Sequence, residues 1–507
     1  MTIFRSGIVV ASLTFISRIF GLARELYIAD SFGATGSADA INVAFKLPNL
    51  FRRIFGEGAL STVFIPILNE KLLESSSATR KFSSQIFVPL LVILVSLVFI
   101  MQLFMPYLMF LIAPGFSEDE HKFQLTVLLC RITMPYLIFI SVAAFFGSIL
   151  NSIRKFAAFA FSPVIMSMTI ILGTHLFKYR FSGALSISLS IILAGILQVI
   201  FMFRCLVKAN LTFPIIFNIK RDRDVSRFLK NMGPATLSAS VGQFGILISQ
   251  SIASFIPGAV SILSYADRIY QFPLSIIGVS FSTILLPELS KIYKNNNISL
   301  ANDLQNKAIG IALLLSLPAA LGIIILSEPM IHIIYERGAF TNIDTRSTSQ
   351  VISAFAIGLP AFVLGKVLMP IFYANNDTKT PLKITIYSLV VNILSNILLM
   401  FLFSYIGIAL GTSFAAWFNV WLLYRYAQKA GRISIQPSIR NIILKILTSC
   451  AVMCLIILVI VNKWDSHFYS YSLIIKIFLL GSVILIGSII IVGMSFYFKL
   501  HRSLSLR

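Results

Sequence analysis

The sequence is short of charge, shorter of acid and nearly free of cysteine. Charged residues are 12% of its 507 positions, about half the roughly 25% of ordinary soluble domains. That is too little to coat a water-exposed surface. Only 19 Asp and Glu stand against 41 Lys and Arg, a net charge of +22. In a soluble protein such a surplus would point to nucleic acid. Here it is assigned to cytoplasmic loops by the positive-inside rule, and nucleic acid is not expected as a partner. The four cysteines, Cys130, Cys205, Cys450 and Cys454, form no CxxC or Cys/His spacing. Cys450 and Cys454 lie one helical turn apart and read as packing residues. The five histidines are scattered, so no metal or catalytic cluster is expected. Walker, GxSxG and HExxH motifs and paired catalytic carboxylates are missing as well. The expectation is a protein that is not an enzyme, holds no cofactor, and draws on an ion gradient, a membrane potential or substrate flux.

What is abundant is apolar length. Hydrophobic residues make up 57% of the chain, in runs of the length that spans a bilayer as helix. Most runs lack the alternation of a membrane β-barrel strand. The predicted class is an all-α membrane protein of about fourteen transmembrane helices: 4–30, 38–69, 84–113, 123–150, 156–177, 182–207, 226–253, 258–288, 304–327, 347–373, 380–403, 406–428, 441–462 and 472–498. The first follows Arg5 but contains Arg18 and Arg24 and shows no convincing cleavage site, so it reads as an uncleaved span. Loop charge agrees with the count. Lys71, Arg80 and Lys81, then Arg154 and Lys155, then the cluster from Lys208 to Lys230, fall in alternate loops. Residues 30–37 and 254–260 carry no Lys or Arg, and 116–121 reads FSEDEH. This places both termini in the cytoplasm.

A weak repeat runs through the chain. STVFIPIL at 61–68 resembles STILLPEL at 282–289, and Pro135 with Asn151 has the spacing of Pro360 with Asn376. An offset of six helices preserves orientation, which predicts two six-helix lobes related by a pseudo-twofold axis along the membrane normal. The domains would be 1–208, 209–430, and an added helix pair within 431–507.

Charges inside the membrane cost about 2.5–3.5 kcal/mol each on insertion scales, so their positions carry information. The first span holds Arg18 and Arg24. The second holds Asp39, Lys46, Pro48, Arg52, Arg53 and Glu57, and the eighth holds Asp267 and Arg268 within SYADRIYQFP. On an ideal helix Asp39, Lys46, Arg53 and Glu57 fall near one face, and Pro48 bends it. Pairing such as Arg53 with Glu57, or Asp267 with a nearby arginine, neutralises part of the set. A positive surplus remains, and guanidinium groups hold phosphate through paired hydrogen bonds. An anionic substrate is therefore favoured over purely structural pairing. In the seventh span, Gly233-Pro234 suits a bend and Ser238, Ser240 and Gly242 suit close packing. Gln243 and Gln250, seven apart, suit packing hydrogen bonds more than a place facing the cavity, and Arg131 in the fourth span suits snorkelling.

SRIFGLARE (17–25), ADAINVAFKLPNLFRRIFGEGALSTVFIPIL (38–68), APGF (113–116) and YADRIYQFP (265–273) strongly resemble the MurJ (MviN) lipid II flippases. These belong to the multidrug/oligosaccharidyl-lipid/polysaccharide exporter superfamily, and the resemblance covers nearly the whole chain. It implies two six-helix lobes, a C-terminal helix pair forming a groove for a polyprenyl tail, and a place in the bacterial inner membrane. The implied task is transfer of lipid II, the undecaprenyl-diphosphate-linked disaccharide-pentapeptide, to the periplasmic leaflet for peptidoglycan synthesis. Membrane lipids and cell-wall synthesis proteins are the other implied partners. Arg18, Arg24, Arg52 and Arg268 match the family's cavity arginines; Lys46 and Arg53 join them as substrate-binding candidates. Asp39, Glu57, Asp267 and Gln271 are the polar or charge-pairing candidates. Gln271 stands where relatives can carry Glu, and residues 231–253 contain no acid, which puts sodium coupling through that helix in doubt. The rival readings are export of another polyprenyl-linked glycan and cation-coupled drug antiport. The second wants an acidic site, against the positive surplus here.

Overall fold

The computed structural model describes residues 3–54, 60–214, 222–295, 297–464 and 467–503; within these, some side chains, including those of Ser238 and Gly242, are outside the description. The described chain is helical with turns and no strand. Its helices are α1 (Ile3–Phe32), α2 (Gly36–Phe51), α3 (Ser61–Glu74), α4 (Ser76–Leu103), α5 (Met105–Ile112), α6 (Glu120–Thr133), α7 (Tyr136–Ser152), α8 (Phe156–Phe177) and α9 (Gly183–Lys208). They continue with α10 (Arg223–Ala253), α11 (Ala259–Lys294), α12 (Ile298–Tyr335), α13 (Asn342–Tyr373), α14 (Lys379–Lys429), α15 (Pro437–Asn462), α16 (His467–Ser470), α17 (Leu473–Tyr497) and α18 (Leu500–Ser503). Each stretch expected as a span is mainly helical among the described residues. Nine described segments are by themselves long and apolar enough to cross a membrane.

The breaks have local causes. Pro48 sits inside α2, and the backbone continues through Arg52–Ile54 with π-helical winding. That under-wound turn shifts the side chains after Pro48 away from ideal-helix positions. The fourth expected span is two helices, α6 and α7, separated at Met134–Pro135. Arg131 therefore ends α6 instead of opening a single long helix. Within α14 the helical path breaks at Phe403 and Ser404 (φ 54°). Contacts pair Ser395 with Gly411, Asn392 with Thr412 and Ser388 with Asn419. The near-constant sum of these residue numbers is that of an antiparallel hairpin, so α14 is two helices. Gly407 makes the close crossing: a Cβ there would lie 1.9 Å from the Leu399 carbonyl oxygen.

The chain divides into two compact units, Met1–Ser261 and Ile262–Arg507. In the first, Tyr136 donates its hydroxyl to Gln198 (3.2 Å), and Gln198 donates to the Ser162 carbonyl (2.9 Å), tying α7, α9 and α8. Phe64, Phe82, Phe87 and Phe145 of α3, α4 and α7 form an aromatic cluster with Phe213, which follows α9. In the second unit, α15 and α17 pack Met453, Ile457, Leu480 and Val483 onto Leu326 and Ile333 of α12. The expected boundary after 208 follows the repeat. The compact boundary falls later because α10 packs against α3, α4 and α5.

Backbone geometry adds to the repeat. Residues with left-handed φ recur at Gly33 and Gly258, Arg154 and Asn376, and Asn210 and Gly431, which are 225, 222 and 221 residues apart. The last two pairs close the same way. An N–H reaches back five residues, from Lys155 to Leu150, Asp377 to Phe372, Leu211 to Leu206 and Arg432 to Ala427. This is the Schellman closure, which satisfies the last carbonyls of a helix.

Candidate functional site

In the first unit the structure separates the polar candidates of α1 and α2 into distinct environments. Arg24 is buried (6% exposed) beside Glu25 (5%). Its Nη2 donates to the Glu25 carboxylate at 2.7 Å, and its guanidinium carbon lies 4.6 Å from the centre of the Phe45 ring on α2. The carboxylate and the aromatic face fix the direction of a flat, permanently charged group. Arg18, six residues earlier on α1, is exposed. Lys46 and Arg52 are half-buried and Arg53 is exposed. Arg52 Nε donates to Asn49 Oδ1 at 3.2 Å, one turn back. Glu57 lies outside the described residues.

Asp39 does something the helical-face reading did not anticipate. It is fully buried (0% exposed) and accepts four hydrogen bonds. Lys122 Nζ on α6 donates at 2.7 Å and the Gly258 N–H at 2.9 Å to one oxygen. The Ser261 N–H (2.9 Å) and hydroxyl (2.8 Å) donate to the other. Gly258 has φ 75°, a conformation glycine adopts without strain, and it aims its N–H at the carboxylate. Lys122 Nζ also lies 3.9 Å from the centre of the Phe116 ring. Phe116 belongs to the APGF segment, whose Gly115 N–H donates to Ser254 Oγ at 2.9 Å. A Cβ on Gly115 would stand 2.4 Å from the backbone of Phe255. The segment thus clamps the end of α10, and Asp39 is the electrostatic centre of the clamp. Lys122 was missed because it lies 83 residues from Asp39, next to FSEDEH, where it reads as loop charge.

On α11 in the second unit, Asp267 accepts from the Gln271 side-chain amide one turn on, a neutral partner on its own helix. Arg268 is exposed and Gln271 is exposed. The amide at 271 matters: it donates to a carboxylate that a Glu there would repel. On α10, the packing hydrogen bonds expected of Gln250 are not made. The side chain is buried, and neither Nε2 nor Oε1 has a partner among the described residues. Ser240 donates back to the Thr236 carbonyl at 2.7 Å.

A second charged cluster ties α3 to the start of α10. Lys71 bonds Asp224 (2.7 Å) and Glu74 (2.8 Å), and Arg227 bonds Glu70 (2.8 Å). The Asp224 and then the Glu74 carboxylate hold the Lys71 ammonium well above the usual lysine range. Sequence reading caught the bases as loop charge but not their acids.

Comparison with known proteins agrees with this architecture. Residues 28–479 match the family described as "Lipid II flippase MurJ". The chain is 58% identical over 482 residues to the "Probable lipid II flippase MurJ" of Rickettsia prowazekii (strain Madrid E), covering 95% of each chain. Among solved structures it is similar to "Lipid II flippase MurJ, inward closed conformation" (TM-score 0.81, 30% identity, 97% of this chain and 99% of that one). A multidrug resistance MATE family transporter of the MOP superfamily, in an inward-facing conformation, shares the fold at 14% identity (TM-score 0.69, 83% of this chain and 97% of that one). The chain is a multi-pass membrane protein of the transporter type, and it belongs to the lipid II flippase MurJ family.

Proposed function

We propose that the chain flips lipid II, the undecaprenyl-diphosphate-linked disaccharide-pentapeptide, from the cytoplasmic to the periplasmic leaflet of the bacterial inner membrane, for peptidoglycan synthesis. Both termini lie in the cytoplasm. The headgroup crosses by alternating access of two lobes, 1–208 and 209–430, while the polyprenyl tail stays in lipid beside the helices of 431–507. Arg18, Arg24, Arg52 and Arg268 take the diphosphate, with Lys46 and Arg53 contributing positive field. The observation that carries this reading is Arg24: a guanidinium buried within α1 and oriented by Glu25 and Phe45. A diphosphate offers it paired oxygens. Membrane potential resets the positively charged cavity, at about 2.3 kcal/mol per charge per 100 mV. Cell-wall synthesis proteins are the partners this activity would serve.

The test is headgroup exposure of lipid II in vesicles carrying the purified protein. A charge-assisted hydrogen bond contributes about 1.5–3 kcal/mol, so Arg24→Ala is expected to slow flipping roughly 10- to 100-fold at subsaturating substrate. Arg24→Ala also strands Glu25, so Arg24→Ala/Glu25→Gln is the control; it should stay slow while recovering stability. Parental rates from correctly inserted Arg24→Ala and Arg268→Ala proteins would refute arginine capture. Failure to complement a lipid II flippase-depleted strain, with flipping of another polyprenyl-linked glycan, would refute the substrate.

A further inference from the structure

The second unit contains a cleft of about 480 Å³ between α12, α13 and the second arm of α14. It lies within the range of small-molecule sites, roughly 300–1,000 Å³. Among the described residues its one ionisable lining side chain is Glu328 of α12, joined by Ser327 of α12 and by Ser349, Gln350 and Ser353 of α13. The opposite side is apolar, with Ile357 and Leu410 among its residues.

Three properties define what fits. First, Glu328 is a carboxylate on a membrane-type helix with no cation of its own. The ion pairs of this unit join Lys307 to Asp303, His332 to Glu336 and Arg432 to Asp377; among the described residues none reaches Glu328. The neutral Tyr469 hydroxyl of α16 neighbours this carboxylate. Arg346, exposed at the start of α13, acts on Tyr469 from the same end without forming a bridge to Glu328. A half-buried carboxylate without a counter-charge leaves a place for a cation. Second, the serine hydroxyls spend their hydrogens on their own helices. Ser327 donates to the Ile324 carbonyl (3.1 Å), Ser349 to Arg346 (2.8 Å) and Ser353 to Ser349 (2.9 Å). Each therefore shows the cleft only oxygen lone pairs. Third, the cleft is far larger than a bare ion needs and is apolar on one side.

An anionic recess whose serines offer acceptors, with the exposed Gln350 amide beside them and an apolar wall opposite, is complementary to a cation that donates hydrogen bonds and carries hydrocarbon. We propose that this cleft binds an organic ammonium borne on an apolar body, its N–H groups on Glu328 and the serine oxygens and its hydrocarbon along Ile357 and Leu410. The class includes a bilayer aminophospholipid and a water-borne amphiphilic amine. The site is opposite in sign to the arginine site, so it is not a second seat for the diphosphate. Its test is a binding measurement and is independent of whether the protein flips lipid II.

The full chain in phosphatidylcholine nanodiscs is titrated calorimetrically with hexylammonium, with empty discs subtracted. One saturable site is expected, weakened at least tenfold by Glu328→Gln. Hexyltrimethylammonium, which has no N–H, should bind several-fold more weakly than hexylammonium, and hexanol should show no dependence on residue 328. Ile357→Trp, which fills the cleft and leaves the carboxylate in place, should abolish binding without lowering the melting temperature. This second variant decides the matter if Glu328→Gln loosens Tyr469 and fails to fold. In phosphatidylethanolamine nanodiscs, a weaker apparent affinity identifies the bilayer lipid as the occupant, and an unchanged affinity identifies a water-borne amine. Equal binding of hexylammonium and hexanol, or hexylammonium binding untouched by both Glu328→Gln and Ile357→Trp, overturns the proposal.

Discussion

Replacing Asp39 by Asn removes one charge and no volume, and the structure makes the cost calculable. Each carboxylate oxygen takes two donors, Lys122 Nζ with the Gly258 N–H on one side and the Ser261 N–H with its hydroxyl on the other. An asparagine has one acceptor oxygen, so its NH2 must face one of the two donor pairs. Turned toward Ser261, it leaves a backbone N–H unsatisfied, about 1–3 kcal/mol. Turned toward Lys122, it opposes an ammonium. In both orientations Lys122, whose side chain is 10% exposed, loses its counter-charge, and breaking a buried pair from one side costs about 3–5 kcal/mol. We expect Asp39→Asn to lose about 3–5 kcal/mol in mixed-micelle unfolding. Asp39→Asn/Lys122→Met, which removes both charges and keeps the lysine's length, should regain most of it, because a buried pair is seldom much better than an apolar replacement. A single variant within about 1 kcal/mol of the parent, or a double variant no better than the single, would refute the view that Asp39 is a structural hub.

Other substitutions probe other links. Gly407→Ala should destabilise the α14 hairpin, since its Cβ would overlap the Leu399 carbonyl. Ser404→Gly should stabilise it by about 1 kcal/mol by relieving a left-handed φ; thermal unfolding checks both. Gln271→Glu puts a second carboxylate against Asp267 and should slow flipping several-fold, while Gln271→Met, which adds no charge, should slow it less; equal rates from the two would count against a direct 267–271 contact. Burial raises the Asp377 carboxyl, but hydrogen bonds from Thr380 and Arg432 outweigh it and hold it below its ordinary 3.8. A depressed acid stabilises the fold above its unfolded value and loses that contribution as pH falls through the folded one. Asp377→Asn should therefore cost stability at pH 7, on the order of 0.5 kcal/mol for a partly exposed pair, and nothing near pH 2, as read by unfolding midpoints.

Helices were legible because a spanning helix is a local property of about twenty residues. The hairpin between residues 403 and 406 was placed within a residue or two for that reason. Side-chain partnership was not legible. Asp39, Lys46 and Arg53 look alike along an ideal helix, but Pro48 and the π-helical turn after it change the geometry, and only folding brings Lys122 and the Gly258 turn to Asp39. Gln250 illustrates the opposite error. An amide on a small-residue helix invites a hydrogen bond, but whether one forms depends on neighbours remote in sequence. The arginines drew notice because a charge within an apolar run is visible without knowing the fold.

The paired left-handed turns bear on how the two halves have diverged. Arg154 corresponds to Asn376 and Asn210 to Gly431, so the side chains have been exchanged while the sign of φ has stayed. At these two pairs a torsion angle recurs where the letter does not, while Gly33 and Gly258 share both. Comparisons by residue identity will under-count such duplications, whereas a profile of helix-ending torsions would align the halves at three points. The same logic applies to engineering: Arg154→Gly and Asn210→Gly place in one half a residue that suits the torsion, and each should be tolerated where a β-branched residue would not be.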